Sequence, residues 1–103
     1  MIGNDRLYLA TRALIEGQGN VKARVVSAMR ILDNLVPSEF TKCPDIWDRI
    51  VALRQKTSFR GPLRHKGLKY VLRDAYENTA TNRRNSTYSK FATEIFELWQ
   101  MTS

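Results

Sequence analysis

The chain carries one cysteine and one histidine, the two side chains in it best suited to nucleophilic or acid-base catalysis. Cys43 precedes Pro44 at a predicted helix start, where the helix dipole favours a thiolate. His65 stands between two cations, which disfavour its protonation. Nothing in the spacing brings the thiol and the imidazole together. We interpret Cys43 as a structural cysteine and His65 as an exposed loop residue.

The carboxylates form no persuasive catalytic pair. Asp45 and Asp48 lie one turn apart at a predicted helix start, where they stabilise the helix dipole. Glu94 and Glu97 lie one turn apart on the polar face of the last predicted helix, where water can solvate them. The chain has too few metal-binding side chains near one another for a metal site, and it has no glycine-rich phosphate loop. The sequence therefore predicts no enzyme, no metal and no cofactor.

Positive charge is concentrated in the second half of the chain. Of the 17 Lys and Arg and 10 Asp and Glu, residues 1–53 hold seven and six, and residues 54–103 hold ten and four. Between Arg54 and Arg73 there are seven cations and no acid. Charge that served solubility alone would be spread more evenly along the chain. The clustering indicates a basic surface.

Two basic segments each lead into a predicted helix: residues 60–67 continue into Lys69 and Arg73, and residues 83–87 continue into Lys90. The start of a helix attracts anions, so cations there are unfavourable unless an anion such as phosphate binds between them. Nucleic acid supplies phosphates in a row, and Asn85 and Ser86 could add neutral hydrogen bonds. The predicted anion-binding residues are Arg60, Arg64, His65, Lys66, Lys69, Arg73, Arg83, Arg84, Asn85, Ser86 and Lys90.

The sequence leaves three interpretations of this basic surface open. It could bind the phosphate backbone of DNA or RNA, and the pattern does not separate the two. The same cations could instead face an acidic patch on a protein partner. They could also form a solvated face without a specific role. We take nucleic-acid binding as the leading hypothesis, with protein interaction as the alternative.

Apolar residues recur at helical spacing in five segments, which predicts an all-α fold, a compact bundle of about five short helices. The first helix is predicted to start at Asn4 or Asp5 and to stop at Gly17. Asn20 is predicted to cap the second helix, which ends before Pro37 because proline disfavours helical geometry in the residue that precedes it. Because the linker between them is short, the first two helices are predicted to be antiparallel neighbours.

The third helix is predicted to begin at Pro44 and to fade after Lys56. A loop then runs from Phe59 to about Gly67. A fourth helix follows, with Leu68, Val71, Leu72, Ala75 and Tyr76 on its apolar side. No run of alternating apolar and polar residues is long enough to predict a strand.

The last helix has the widest apolar face. Asn85 or Ser86 is predicted to cap it, and the apolar positions between residues 88 and 99 cover an arc of roughly 160°. Such a face suits either the central helix of the bundle or a contact with another chain. The alternative function is therefore a protein-interaction or homo-oligomerising module, with a predicted interface at Phe91, Phe96 and Trp99.

Short elements of the C-terminal half carry a resemblance. They are Gly-Pro at residues 61–62, His-Lys-Gly at 65–67, Asn-Ser-Thr at 85–87 and the helix with Phe-Ala at 91–92. Together they resemble small α-helical proteins of bacteria and mobile genetic elements that have no known activity. The resemblance implies an intracellular bacterial setting and assigns no catalytic residue.

Composition limits the setting further. The 43% hydrophobic and 26% charged content is typical of one folded domain, here residues 1–103. No segment approaches the roughly 18 consecutive apolar residues of a membrane-spanning helix, and the N-terminus lacks the pattern of a secretory signal. A single cysteine cannot form an internal disulfide. We expect a cytoplasmic protein without a membrane partner.

Overall fold

The computed structural model describes residues 2–64, 71–81 and 83–102. Within these residues the protein is a small all-α bundle, as predicted, to which one short antiparallel hairpin is added. The elements are α1 (Ile2–Glu16), α2 (Val21–Leu32), a 3-10 helix (Pro37–Phe40), α3 (Pro44–Ser58), β1 (Leu63–Arg64), β2 (Val71–Arg73), α4 (Ala75–Ala80) and α5 (Asn85–Thr102).

The connection between α1 and α2 follows the predicted stop and cap. The Gly17 N–H donates to a carbonyl of the last turn of α1 at 2.9 Å, and Gly19 turns the chain with a φ of 91°. The Asn20 side chain then accepts from the Ala23 N–H at 3.0 Å, which caps α2. At its other end α1 begins at Ile2, ahead of the predicted cap, because a helix can continue past a residue that could have capped it.

Apolar side chains from four helices form the main core. α5 packs against α1, α2 and α3, so it is a central helix and most of the width of its apolar face is used inside the protein. None of the described helices is long and apolar enough to cross a membrane. The buried residues that these helices contribute include Leu7, Ala10, Val25, Ala28, Met29, Leu32, Ile46, Ile50, Leu53, Tyr88, Phe91, Ile95 and Leu98.

Arg54 belongs to the framework of the fold, although it is the first cation of the acid-free stretch. From α3 its guanidinium donates to the carbonyl of Leu32 and, at 2.8 Å, to that of Leu35. These carbonyls lie at and just beyond the end of α2, where a cation is favoured by the helix dipole. The guanidinium also lies 5.1 Å from the centre of the Trp47 ring. One of the cations that define the sequence pattern is therefore used to join α2 to α3.

The predicted fourth helix is wrong in its first part. Val71 belongs to strand β2, and α4 begins only at Ala75. The reason is the cap: the Asp74 side chain accepts from the Glu77 N–H at 2.8 Å, which starts the helix after Asp74. A short apolar run suits a strand as well as a helix, so periodicity could not separate them. Leu68, the predicted first residue, lies outside the described residues.

Two side chains anchor α4 to α2: Arg30 in the last turn of α2, and Asp33 at its C-cap. Arg30 contacts the carboxylates of Asp74 at 2.5 Å and Glu77 at 3.3 Å, and the Tyr76 hydroxyl donates to the Asp33 carboxylate. Burial raises the pKa of Tyr76, and the hydrogen bond to Asp33 raises it further. Partial burial would raise the pKa of Asp74, but the hydrogen bonds from Arg30 and the helix N–H outweigh it and leave that pKa below its ordinary value.

Candidate functional site

The first basic segment begins in a turn at the end of α3. Phe59 occupies the C-cap of this helix, and the Gly61 N–H donates to the Ser58 carbonyl at 3.0 Å. Gly61 has a φ of 68°, a conformation that glycine adopts without strain. The chain therefore turns sharply after Arg60, and both Phe59 and Arg60 are exposed at that turn.

α4 holds this turn through two side chains. The buried Thr79 hydroxyl accepts from the Arg60 N–H at 3.2 Å. The Asn78 amide donates to the Gly61 carbonyl at 3.1 Å. Because α4 directly precedes the second basic segment, these hydrogen bonds fix the first segment relative to the second.

The two basic segments meet at Phe59. The Arg83 guanidinium lies over the Phe59 ring, 4.8 Å from its centre, in a cation–π contact. Arg60 is the next residue after Phe59 in the chain, so its backbone is one peptide unit away from this contact. The structure thus brings together the starts of two segments that are far apart in sequence. Sequence reasoning missed Phe59; the available signal was an aromatic residue placed among cations.

The second segment continues along the start of α5. This helix begins at Asn85, so the cap position belongs to Arg84 and the predicted cap at Asn85 or Ser86 is wrong by one or two residues. The Tyr88 N–H donates to the Arg84 carbonyl at 3.4 Å, which makes this carbonyl the first acceptor of the helix. The side chains of Arg84, Asn85, Ser86 and Lys90 are all exposed.

The ion pairs in the described part of the chain lie away from this surface. Within that part, no acidic group lies within ion-pair distance of Arg60, Arg83, Arg84 or Lys90. Glu94 and Glu97, expected to be merely solvated, instead contact Arg49 of α3 at 3.7 and 3.4 Å. Other acids pair with Arg12 and Arg30. The positive charge beside Phe59 is therefore left without local neutralisation by the described residues.

The hairpin carries two more of the predicted cations on adjacent strands. Arg64 of β1 lies opposite Val71, and Arg73 of β2 lies opposite Leu63, with an irregularity in the register between the two pairs. β2 leads through Asp74 into α4, so the strand pair and the turn at Phe59 are attached to the same short helix. The remaining predicted anion-binding residues of this segment lie outside the described residues: His65, Lys66 and Lys69.

Tyr88 lies in the first turn of α5, and its side chain is buried together with the hydroxyl. Its ring makes an edge-to-face contact with Phe91 at 5.1 Å, and its hydroxyl has no hydrogen-bond partner among the described residues. Burial raises the pKa of this hydroxyl, and the nearby positive charge of Arg83 opposes the rise. A buried donor without a partner costs stability.

Tyr88→Phe is therefore expected to raise the free energy of unfolding by about 1 kcal/mol, because it keeps the ring and removes the unpaired hydroxyl. Tyr76→Phe is the matched control, since it removes a hydroxyl that donates to Asp33, and we expect it to lower stability. Urea unfolding followed by circular dichroism measures both. Equal losses in the two variants would contradict the assignment of an unpaired hydroxyl to Tyr88.

The predicted interface residues separate into core and surface. Phe91 is buried, because it faces the bundle beside Tyr88, so it is not accessible to a partner. Phe96 is 38% exposed and its ring lies 5.8 Å from that of the half-buried Trp99. Tyr8 of α1, which sequence reasoning missed, is 45% exposed and also lies 5.8 Å from Trp99. We call Tyr8, Phe96 and Trp99 the outer aromatic flank.

The remaining chemical candidates give no constellation for catalysis in the described part of the chain. Cys43 is partly buried at the N-cap of α3. No group of three or more His, Cys, Asp or Glu among the described residues could hold a metal ion. Asp45 and Asp48 are exposed at the start of α3, where the helix dipole favours carboxylates.

Comparisons with models of protein families, with curated protein sequences and with solved structures gave no match.

Proposed function

We propose that this protein binds nucleic acid through the phosphate backbone, with the turn at Arg60 and the start of α5 as the contact surface. The observation that supports it most is the position of Arg83 over Phe59, next to Arg60. It brings two acid-free segments to one place. Arg84, Asn85, Ser86 and Lys90 continue the surface into α5, and Arg64 and Arg73 lie on the strands of the hairpin that follows the turn. His65, Lys66 and Lys69 are included from the sequence alone, since they lie outside the described residues.

Charge complementarity is the physical reason for this choice of ligand. Cations at a helix start oppose the helix dipole, and no acidic residue lies in the first turn of α5 to compensate. A phosphate placed there would accept from backbone N–H groups and from guanidinium groups together. A polyanion offers several such phosphates, which suits a surface with several cations better than one isolated anion.

Binding of a short labelled oligonucleotide, followed by fluorescence anisotropy at low and at physiological salt, tests this proposal. We expect binding at low salt that weakens steeply as salt increases, because each cation that replaces a counterion on the strand adds to the salt dependence. Failure to bind any strand at low salt would rule the proposal out.

A second candidate function is self-association through the outer aromatic flank. Exposed aromatic rings in mutual contact are enriched where proteins meet, and Tyr8 and Phe96 are both exposed around Trp99. Light scattering over a concentration series distinguishes this function: we expect a mass that rises towards a dimer and that Phe96→Ser returns to the monomer. A monomer at every concentration would exclude this form of the alternative.

We place either function in the bacterial cytoplasm, as part of the same proposal. The resemblance of the C-terminal half to small helical proteins of bacteria and mobile elements supports this setting. Neither function requires a metal, a cofactor or catalysis.

A further inference from the structure

Phe59 is an exposed aromatic residue at the point where the two basic segments meet. Its side chain is 58% exposed, although the protein has a core that buries rings as large as those of Phe40 and Tyr88. Arg60 follows it and Arg83 covers part of it. An exposed apolar ring that one guanidinium covers is poorly placed for packing inside the protein and well placed for contact with a ligand that is both flat and negatively charged.

The geometry leaves part of this ring open. The Arg83 guanidinium takes one face at 4.8 Å from the ring centre. The residue is nevertheless 58% exposed, so the guanidinium does not cover it completely. The ring is also positioned by the fold, since its backbone caps α3 and the following turn is hydrogen-bonded to Asn78 and Thr79 of α4. A positioned ring loses little conformational entropy on binding.

Nucleic-acid bases stack on aromatic side chains and on guanidinium planes, and such stacking is available where bases are not already stacked within a duplex. We infer that the ligand is single-stranded nucleic acid, with one base stacked on Phe59 and the adjoining phosphates held by Arg60, Arg83 and Arg84. This inference rests on the proposed function and names the class of nucleic acid that the same surface selects.

In this inference the Phe59 ring stacks a base and the neighbouring guanidinium groups bind phosphates. Arg84 is exposed next to Arg83 in the chain and directly precedes α5, so phosphates on the strand would meet guanidinium groups next to the stacked base. A protein partner with an acidic patch would satisfy the cations and leave the flat ring without a matching group. The combination of an exposed ring and unneutralised cations therefore favours a strand that carries both bases and phosphates.

The test uses a labelled oligo-thymidine strand and an abasic strand of the same length, which has the same phosphates and no bases. We expect the wild-type protein to bind the thymidine strand about tenfold more tightly than the abasic strand, within the range measured for one stacked base. Phe59→Leu is expected to remove this preference and to leave binding of the abasic strand unchanged. Ile15→Ala is the control, since it truncates an exposed apolar side chain of α1 outside both basic segments, and it should change neither affinity.

Each other outcome has a distinct meaning. Equal wild-type binding of both strands would overturn the stacking inference while phosphate binding stands. Phe59→Leu weakening both strands alike would also overturn it, since the ring would then act by positioning Arg83. If the wild-type protein binds neither strand at low salt, the proposed function itself is ruled out. A duplex bound more tightly than the single strand would overturn the selection of single strands.

Discussion

Replacing Arg54 with methionine is expected to lower the free energy of unfolding by about 3 kcal/mol. The guanidinium donates charge-assisted hydrogen bonds to two carbonyls, those of Leu32 and Leu35, and bonds of this type contribute about 1.5–3 kcal/mol when one partner is charged. Its loss would also leave these carbonyls without that donor and remove the contact with Trp47. The connection from α2 into the 3-10 helix would loosen first, and urea unfolding monitored by circular dichroism measures the loss.

Two controls separate geometry from charge. Lys56→Met removes a cation from an exposed position of the same helix, and we expect a change within about 0.5 kcal/mol. Arg54→Lys keeps the charge but not the planar fork, so it should recover part of the stability and no more. Equal stability of the Arg54→Met and Lys56→Met variants would contradict the structural role assigned to Arg54 and would mean that it acts only as a surface cation.

The second large effect is on binding. Arg60→Gln combined with Arg84→Gln is expected to weaken binding of a single strand roughly tenfold or more at low salt, because it removes two charge-assisted contacts to phosphate. The salt dependence should also become shallower, by about 0.7 per lost contact in the slope of log K against log salt. Fluorescence anisotropy over a salt series gives both quantities from the same titrations.

The control is Arg6→Gln combined with Lys42→Gln, which changes the net charge equally. Arg6 lies in α1 close to Tyr8, whose ring contacts Trp99, and Trp99 is fifteen residues along the chain from Arg84, or roughly 22 Å of helix. Lys42 precedes α3, whereas the turn at Arg60 follows it. Equal weakening by the two double variants would mean that net charge, not this surface, drives binding.

The helices could be predicted where local signals agree. Gly17 and Asn20 separate α1 from α2 through backbone conformation and capping, which depend on neighbouring residues alone. The apolar stripe of α5 is long enough to fix its orientation. Val71 was misassigned because a short apolar run has no length to distinguish strand from helix, and the start of α4 depends on Asp74, a cap whose strength also comes from the distant Arg30.

The basic segments could be predicted as charge, but their meeting point could not. Phe59 and Arg83 are 24 positions apart, so only packing of α4 between them determines their contact. The roles of other residues depend on partners in the same way: Arg54 finds carbonyls of α2, and Glu94 and Glu97 find Arg49. Phe91 and Phe96 look alike in the sequence pattern, and the positions of α1, α2 and α3 around α5 decide which ring is covered.

The attachment of both basic segments to α4 has a thermodynamic consequence. A helix of six residues does not persist alone in water, so the unfolded chain has the same charges as the folded protein but not the same arrangement of them. A ligand attracted by charge alone binds both states and leaves the melting temperature unchanged. A strand that spans the Arg60 turn and the start of α5 binds only the folded state. At a free concentration of a hundred times its dissociation constant, it adds about 2.7 kcal/mol to the free energy of unfolding and so raises the melting temperature. Ligand-induced stabilisation thus distinguishes a site from a sum of charges.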